Sequence, residues 1–171
     1  MLFFLACLLF GYLGLHLIDE LVFHKKRAIL RLDRLSQLLN VVFLWILTFI
    51  AYQVTYSDGL STFFLAMAVA SLILVARQEW TEHVFDLPER GLHSVVYMMH
   101  PVVIGVLGIL WFLTSGISAV TRMVLPFSVD GLRVLLLFYL GTLTLTGFYY
   151  LRQYRDTVAE LPAPPKEPLS N

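Results

Sequence analysis

The sequence predicts an all-α fold: a polytopic membrane protein, a bundle of five transmembrane helices with its N-terminus outside and its C-terminus cytoplasmic. Three observations predict it. Hydrophobic residues make up 58% of the chain and charged ones only 14%, whereas soluble domains carry about a quarter charged. The apolar residues come in blocks long enough to cross a hydrocarbon core of about 30 Å. Lys and Arg then alternate in density between the two sides of those blocks, which sets orientation.

The first span runs over Leu2–Val22. It lacks the basic start and small-residue cleavage site of a signal peptide, and it ends in His16, Asp19 and Glu20, so it reads as a retained helix. Cys7 is the sole cysteine; in an apolar setting it is expected to be an inert, buried thiol, with no disulfide and no thiolate cluster open to it. The second span is Leu38–Tyr56. The preceding "AILRLDRLSQLLN" repeats Ile29, Leu32, Leu35, Leu38 and Leu39 at helical spacing and could extend it as an interfacial helix. The third span is Leu60–Ala76. The fourth, Leu92–Thr114, contains Pro101, which cannot donate to the carbonyl of Tyr97 and so favours a kink.

Val134–Leu151 is the fifth span. Residues 1–154 therefore form the transmembrane domain. The Pro-rich remainder, 155–171, reads as an extended or disordered cytoplasmic tail. Ten of the twelve Lys and Arg fall in the 23–37 and 77–91 loops and the tail, and only Arg122 and Arg133 fall on the other side. That bias places the loops and tail in the cytoplasm, in a bacterial inner or plasma membrane.

All five histidines share this cytoplasmic side, with a group of carboxylates. On span 1, His16 stands three residues before Asp19 and four before Glu20, with His24 four further on. The stretch "QEWTEHVFDLPERGLH" supplies Glu79 and His83, again four apart, and Glu89 and His93, four apart on the next helix, with His100 seven beyond. Residues four apart lie on one helical face. His100 sits roughly 12 Å inside span 4 at 1.5 Å per residue, where hydrocarbon offers no partner.

Imidazole and carboxylate suit iron, zinc and manganese, and helix bundles build such sites from several helices. The first reading is accordingly a metal-dependent membrane enzyme acting on a lipid-like substrate. Its candidate ligands are His16, Asp19, Glu20, Glu79, His83, Glu89, His93 and His100. Each also has a plainer role. "DLPE" resembles a capping box, making Glu89 a helix cap; His24 beside "KKR" is one more basic group at the headgroups. Glu82 beside Trp80 is a solvated side chain.

The second reading is a non-catalytic assembly or transport component, in which a hydrogen bond from His16 or Asp19 to His100 ties two helices together. A third is haem held between His16 and His100. No H-E-x-x-H, G-x-S-x-G, histidine-box or phosphate-loop motif occurs. The basic residues suit anionic lipid rather than nucleic acid; membrane lipid is the expected partner, and nothing indicates a protein one.

"HLIDE", His16 to Glu20, resembles the H-x-x-E-E signature of the HXXEE family of small multi-span membrane proteins, with Asp19 in place of the first glutamate. The resemblance covers these five residues. It implies that His16, Asp19 and Glu20 are motif positions, and it implies no activity.

Overall fold

The computed structural model describes residues 2–22, 31–81, 87–115 and 129–159; at 31–33, 78–81, 87–90 and 158–159 it describes the backbone alone. Among the described residues there are five helices: α1 (Leu2–Val22), α2 (Arg31–Gln53), α3 (Asp58–Thr81), α4 (Leu87–Thr114) and α5 (Val129–Ala159). All five are long and apolar enough to cross a membrane. Large apolar side chains cover the outside of the bundle, among them Phe3, Leu65, Met98, Phe138 and Leu145. A surface of that kind is stable only against hydrocarbon or a partner.

The elements follow the expected order, and α2 to α5 are each longer than the expected spans. The lead-in "RLDRLSQ" and span 2 are one continuous helix from Arg31, so Arg34, Ser36 and Gln37 belong to the bundle. No Pro or Gly interrupts the sequence between Phe148 and Ala159, and Arg152 and Asp156 form an i,i+4 pair. Accordingly α5 continues to Ala159, past the expected start of the tail, whose remainder lies outside the described residues. The helix α4 runs on through Pro101. Cys7, expected to be buried, is exposed on the outer face of α1.

The centre of the bundle is α2. Half of its spanning window is buried, against 22% for α1 and α3, and it packs against α5, α3 and α4. Its inward face alternates aliphatic and polar groups: Arg34, Gln37, Asn40, Leu44, Leu47 and Thr48 are all buried. The core on which this face rests includes Leu9, Val103, Leu107, Leu136 and Leu143. In a bilayer such residues gain packing but little hydrophobic driving force, because lipid tails are as apolar as leucine. Polar contacts between helices therefore weigh more heavily in setting how the helices pair.

At one end of the bundle the connections are tight. Ser57 caps α3: its hydroxyl accepts from the amide of Leu60 at 3.4 Å. The last carbonyls of α2 would be orphans, but α4 supplies donors for them. Thr114 donates to the carbonyl of Ala51 at 2.6 Å, and the Trp111 indole to that of Val54 at 2.7 Å. The opposite end carries Asp19, Glu20, Arg34, Arg77 and His93, together with Arg152, Arg155 and Asp156.

Candidate functional site

The polar interior consists of a deep layer and an outer layer, joined by His16. In the deep layer, His100 of α4 is fully buried between three other helices. The Tyr12 hydroxyl of α1 lies 2.6 Å from its Nδ1. Ser71 Oγ of α3 lies 2.9 Å from its Nε2, and the same hydroxyl donates to Asn40 Oδ1 of α2 at 2.5 Å. Tyr12, Ser71 and Asn40 are each at most 1% exposed.

A proton count fixes the direction of this chain. A serine hydroxyl has one proton, and here it goes to Asn40. Ser71 therefore accepts at its other side, which makes His100 Nε2 the N–H donor. His100 Nδ1 keeps the lone pair and accepts from Tyr12. The sequence Tyr12 to His100 to Ser71 to Asn40 thus joins α1, α4, α3 and α2, each link running from a donor to an acceptor.

The outer layer lies two turns nearer the bundle end. Asp19 Oδ1 stands 3.2 Å from His93 Nε2, and both side chains are 5% exposed. The contact has the distance of an ion pair without hydrogen-bond alignment. His93 Nδ1 lies 3.3 Å from the Tyr97 hydroxyl, one turn along its own helix. Beside this pair, Glu20 and Arg34 form a buried salt bridge. Gln37 bridges both, accepting from Arg34 at 3.3 Å and donating to Glu20 Oε2 at 3.4 Å. Arg77 of α3 donates to Ser36 of α2 at 3.2 Å.

Between the layers, the Tyr12 ring meets His16 edge-on, with centroids 5.5 Å apart, and lies 5.6 Å from the His100 ring. His16 Nδ1 is 3.4 Å from the hydroxyl of Tyr150, bringing α5 into the cluster. That is long for a hydrogen bond to a hydroxyl.

Five of the eight residues expected as ligands, His16, Asp19, Glu20, His93 and His100, do gather between α1 and its neighbours. Glu79 lies in the last turn of α3 and Glu89 in the first of α4, known by backbone alone; His83, His24 and Glu82 lie outside the described residues. Among the described residues, no group of three or more His, Cys, Asp or Glu is placed to hold a metal ion. The donor set explains why. Both nitrogens of His100 have hydrogen-bond partners, those of His93 face Asp19 and Tyr97, and Glu20 is committed to Arg34. Haem ligation would meet the same obstacle at His100, and the Tyr12 ring lies against both imidazoles. The expected partner of His100 was His16 or Asp19; Tyr12 and Ser71 hold its two nitrogens instead.

Tyr12, Asn40, Ser71, Arg34 and Gln37 escaped the sequence reading. Asn40 is the only amide within its apolar run, and it lies three residues beyond Gln37 and six beyond Arg34. That spacing could have flagged one polar face of α2. Beyond the cluster, among the described residues, the Tyr139 hydroxyl is buried with no hydrogen-bond partner, its ring packed edge-on against Phe10. The far half of the bundle carries no comparable buried charge or imidazole among the described residues. Among the described residues the polar array is therefore blind-ended at His100. Compared with known proteins, the chain matches no family model, no curated protein and no solved structure.

Proposed function

We propose that this chain is a non-catalytic, multi-pass membrane protein whose buried polar cluster fastens its helices, serving as an assembly component of a bacterial inner or plasma membrane. Its loops and tail face the cytoplasm, in keeping with the ten-to-two distribution of Lys and Arg. One observation carries this reading: His100 spends both nitrogens on Tyr12 and Ser71, and Ser71 passes the chain on to Asn40. A histidine meant to bind metal or act on substrate keeps a nitrogen available. The blind end argues in the same direction, since a relay for protons or ions needs polar groups through both halves.

A second reading keeps the metal-dependent enzyme. It is favoured by the pairing of Asp19 with His93 at the bundle end, where Glu79 lies in the last turn of α3 and Glu89 in the first of α4, with His83 between them in the sequence. There His93, Asp19 and Glu20 would join those three residues around iron, zinc or manganese, open to a lipid-like substrate from the inner leaflet. The "HLIDE" resemblance adds no activity to either reading.

Metal analysis of untagged, detergent-purified protein separates the two, together with a visible spectrum of the same sample. The fastening reading expects no stoichiometric metal, no haem band, and a His100→Ala variant that unfolds at lower temperature. One or two equivalents of metal, lost in His93→Ala, would replace it with the enzyme reading.

A further inference from the structure

On the outer surface of the bundle, α2 and α5 enclose an open apolar groove of about 270 Å³. Val42 and Trp45 form one wall, and Phe148 and Leu151 the other, over a floor that includes Thr144 and Gly147. Gly147 keeps the floor low: a Cβ there would meet only Val41, at 3.7 Å. The polar atoms of the groove are satisfied within the protein. The Trp45 indole donates to Thr144 Oγ1 at 3.0 Å, and Thr144 donates to the carbonyl of Leu140 at 2.8 Å. What remains to be covered is hydrocarbon. Trp45 is also held in place, stacked on Phe49 with ring centroids 5.3 Å apart.

Length and charge indicate the occupant. The lining runs from Leu143 to Leu151 on α5, about 12 Å of helix, which is most of one leaflet's roughly 15 Å of hydrocarbon. The same stripe then continues into Arg152, four residues after Phe148, and Arg155, four after Leu151. Their side chains are 78% and 77% exposed. Asp156 is the carboxylate beside both, at 3.9 Å and 3.5 Å, so the mouth of the groove keeps a net positive charge. An apolar slot of leaflet depth that ends in two exposed guanidinium groups complements one molecule in particular. We propose that the groove between α2 and α5 binds an anionic phospholipid, one acyl chain along Trp45 and Gly147 and the phosphate at Arg152 and Arg155.

Trp45 reports occupancy directly. A full-length variant with Trp80→Phe and Trp111→Phe would be placed in phosphatidylcholine vesicles containing either brominated phosphatidylglycerol or brominated phosphatidylcholine. Quenching of Trp45 should favour the brominated phosphatidylglycerol on the order of fivefold in apparent affinity, the effect of one net basic group at a membrane surface. In Arg152→Gln/Arg155→Gln, which leaves Asp156 unopposed at the mouth, the preference for phosphatidylglycerol should vanish or reverse, with the fold intact by circular dichroism. Equal quenching in the parent protein would overturn the proposal. So would negligible quenching by either lipid, which would mean that protein, such as a second copy, covers the groove. A preference for phosphatidylglycerol that survives in the double Arg variant would assign it to the basic loops and overturn the site as well. Because both leaflets hold the same lipid, none of these outcomes depends on orientation or on the metal content of the protein.

Discussion

Replacing Ser71 with alanine removes a single oxygen from the place where three helices meet. The side chain hardly changes in volume, so cavity effects stay small, and the loss isolates two hydrogen bonds. One runs from His100 Nε2 and the other to Asn40 Oδ1. Neither orphan has water to turn to, since both residues are at most 1% exposed. Interhelical hydrogen bonds in bilayers are worth about 0.6 kcal/mol on average and up to about 1.7. Two of them give a range from roughly 1 to 3 kcal/mol, and full burial favours a value near 2 kcal/mol. The assay is reversible unfolding in mixed detergent micelles, followed by circular dichroism. Thr142→Ala serves as the control: its hydroxyl only bonds back to the carbonyl of Phe138 on the same helix, and its loss should cost less than about 0.5 kcal/mol. Adding Tyr12→Phe to Ser71→Ala should be non-additive, because the two act on opposite nitrogens of one ring. A Ser71→Ala variant within about 0.5 kcal/mol of the parent would refute the reasoning.

Other substitutions test the rest of the interior. Glu20→Ala strands the buried Arg34 guanidinium and should destabilise by about 3–5 kcal/mol, the usual cost of removing one partner of a buried pair. The joint change Glu20→Leu/Arg34→Met should recover most of that in the same unfolding assay. Tyr139→Phe removes a buried hydroxyl that has no partner; stability should hold or rise by up to about 1 kcal/mol, and a clear loss would reveal a partner for that oxygen.

The five helices were legible because each needs a long apolar block to cross a bilayer, and a lone segment satisfies its own backbone there only as a helix. Helix ends were less so. Arg31 to Gln37 is too charged to count as a span, yet Arg34 is neutralised by Glu20 from α1, a contact between distant positions that hydropathy cannot register. The gathering of His16, Asp19, Glu20, His93 and His100 was legible in their four- and seven-residue spacing. Their partners were not. Attention to ionisable groups passed over Tyr12, Asn40 and Ser71, whose side chains look unremarkable in sequence and matter only because burial denies them water. Imidazoles counted by spacing alone look like open ligands, whereas both nitrogens of His100 have hydrogen-bond partners.

The order of Tyr12, Asn40, Ser71 and His100 along the chain has a consequence for how the protein is made. Ser71 emerges 31 residues after Asn40, and His100 another 29 after that. At roughly 5–20 residues per second, each interval lasts about 2–6 s. Until Ser71 arrives, the Asn40 amide of α2 has only Tyr12 of α1 to pair with. Only when α4 arrives does the last donor find its acceptor. The deep layer is therefore closed in one late step while α5 is still to come, and a chain halted after α3 leaves Tyr12 and Ser71 without the imidazole that joins them.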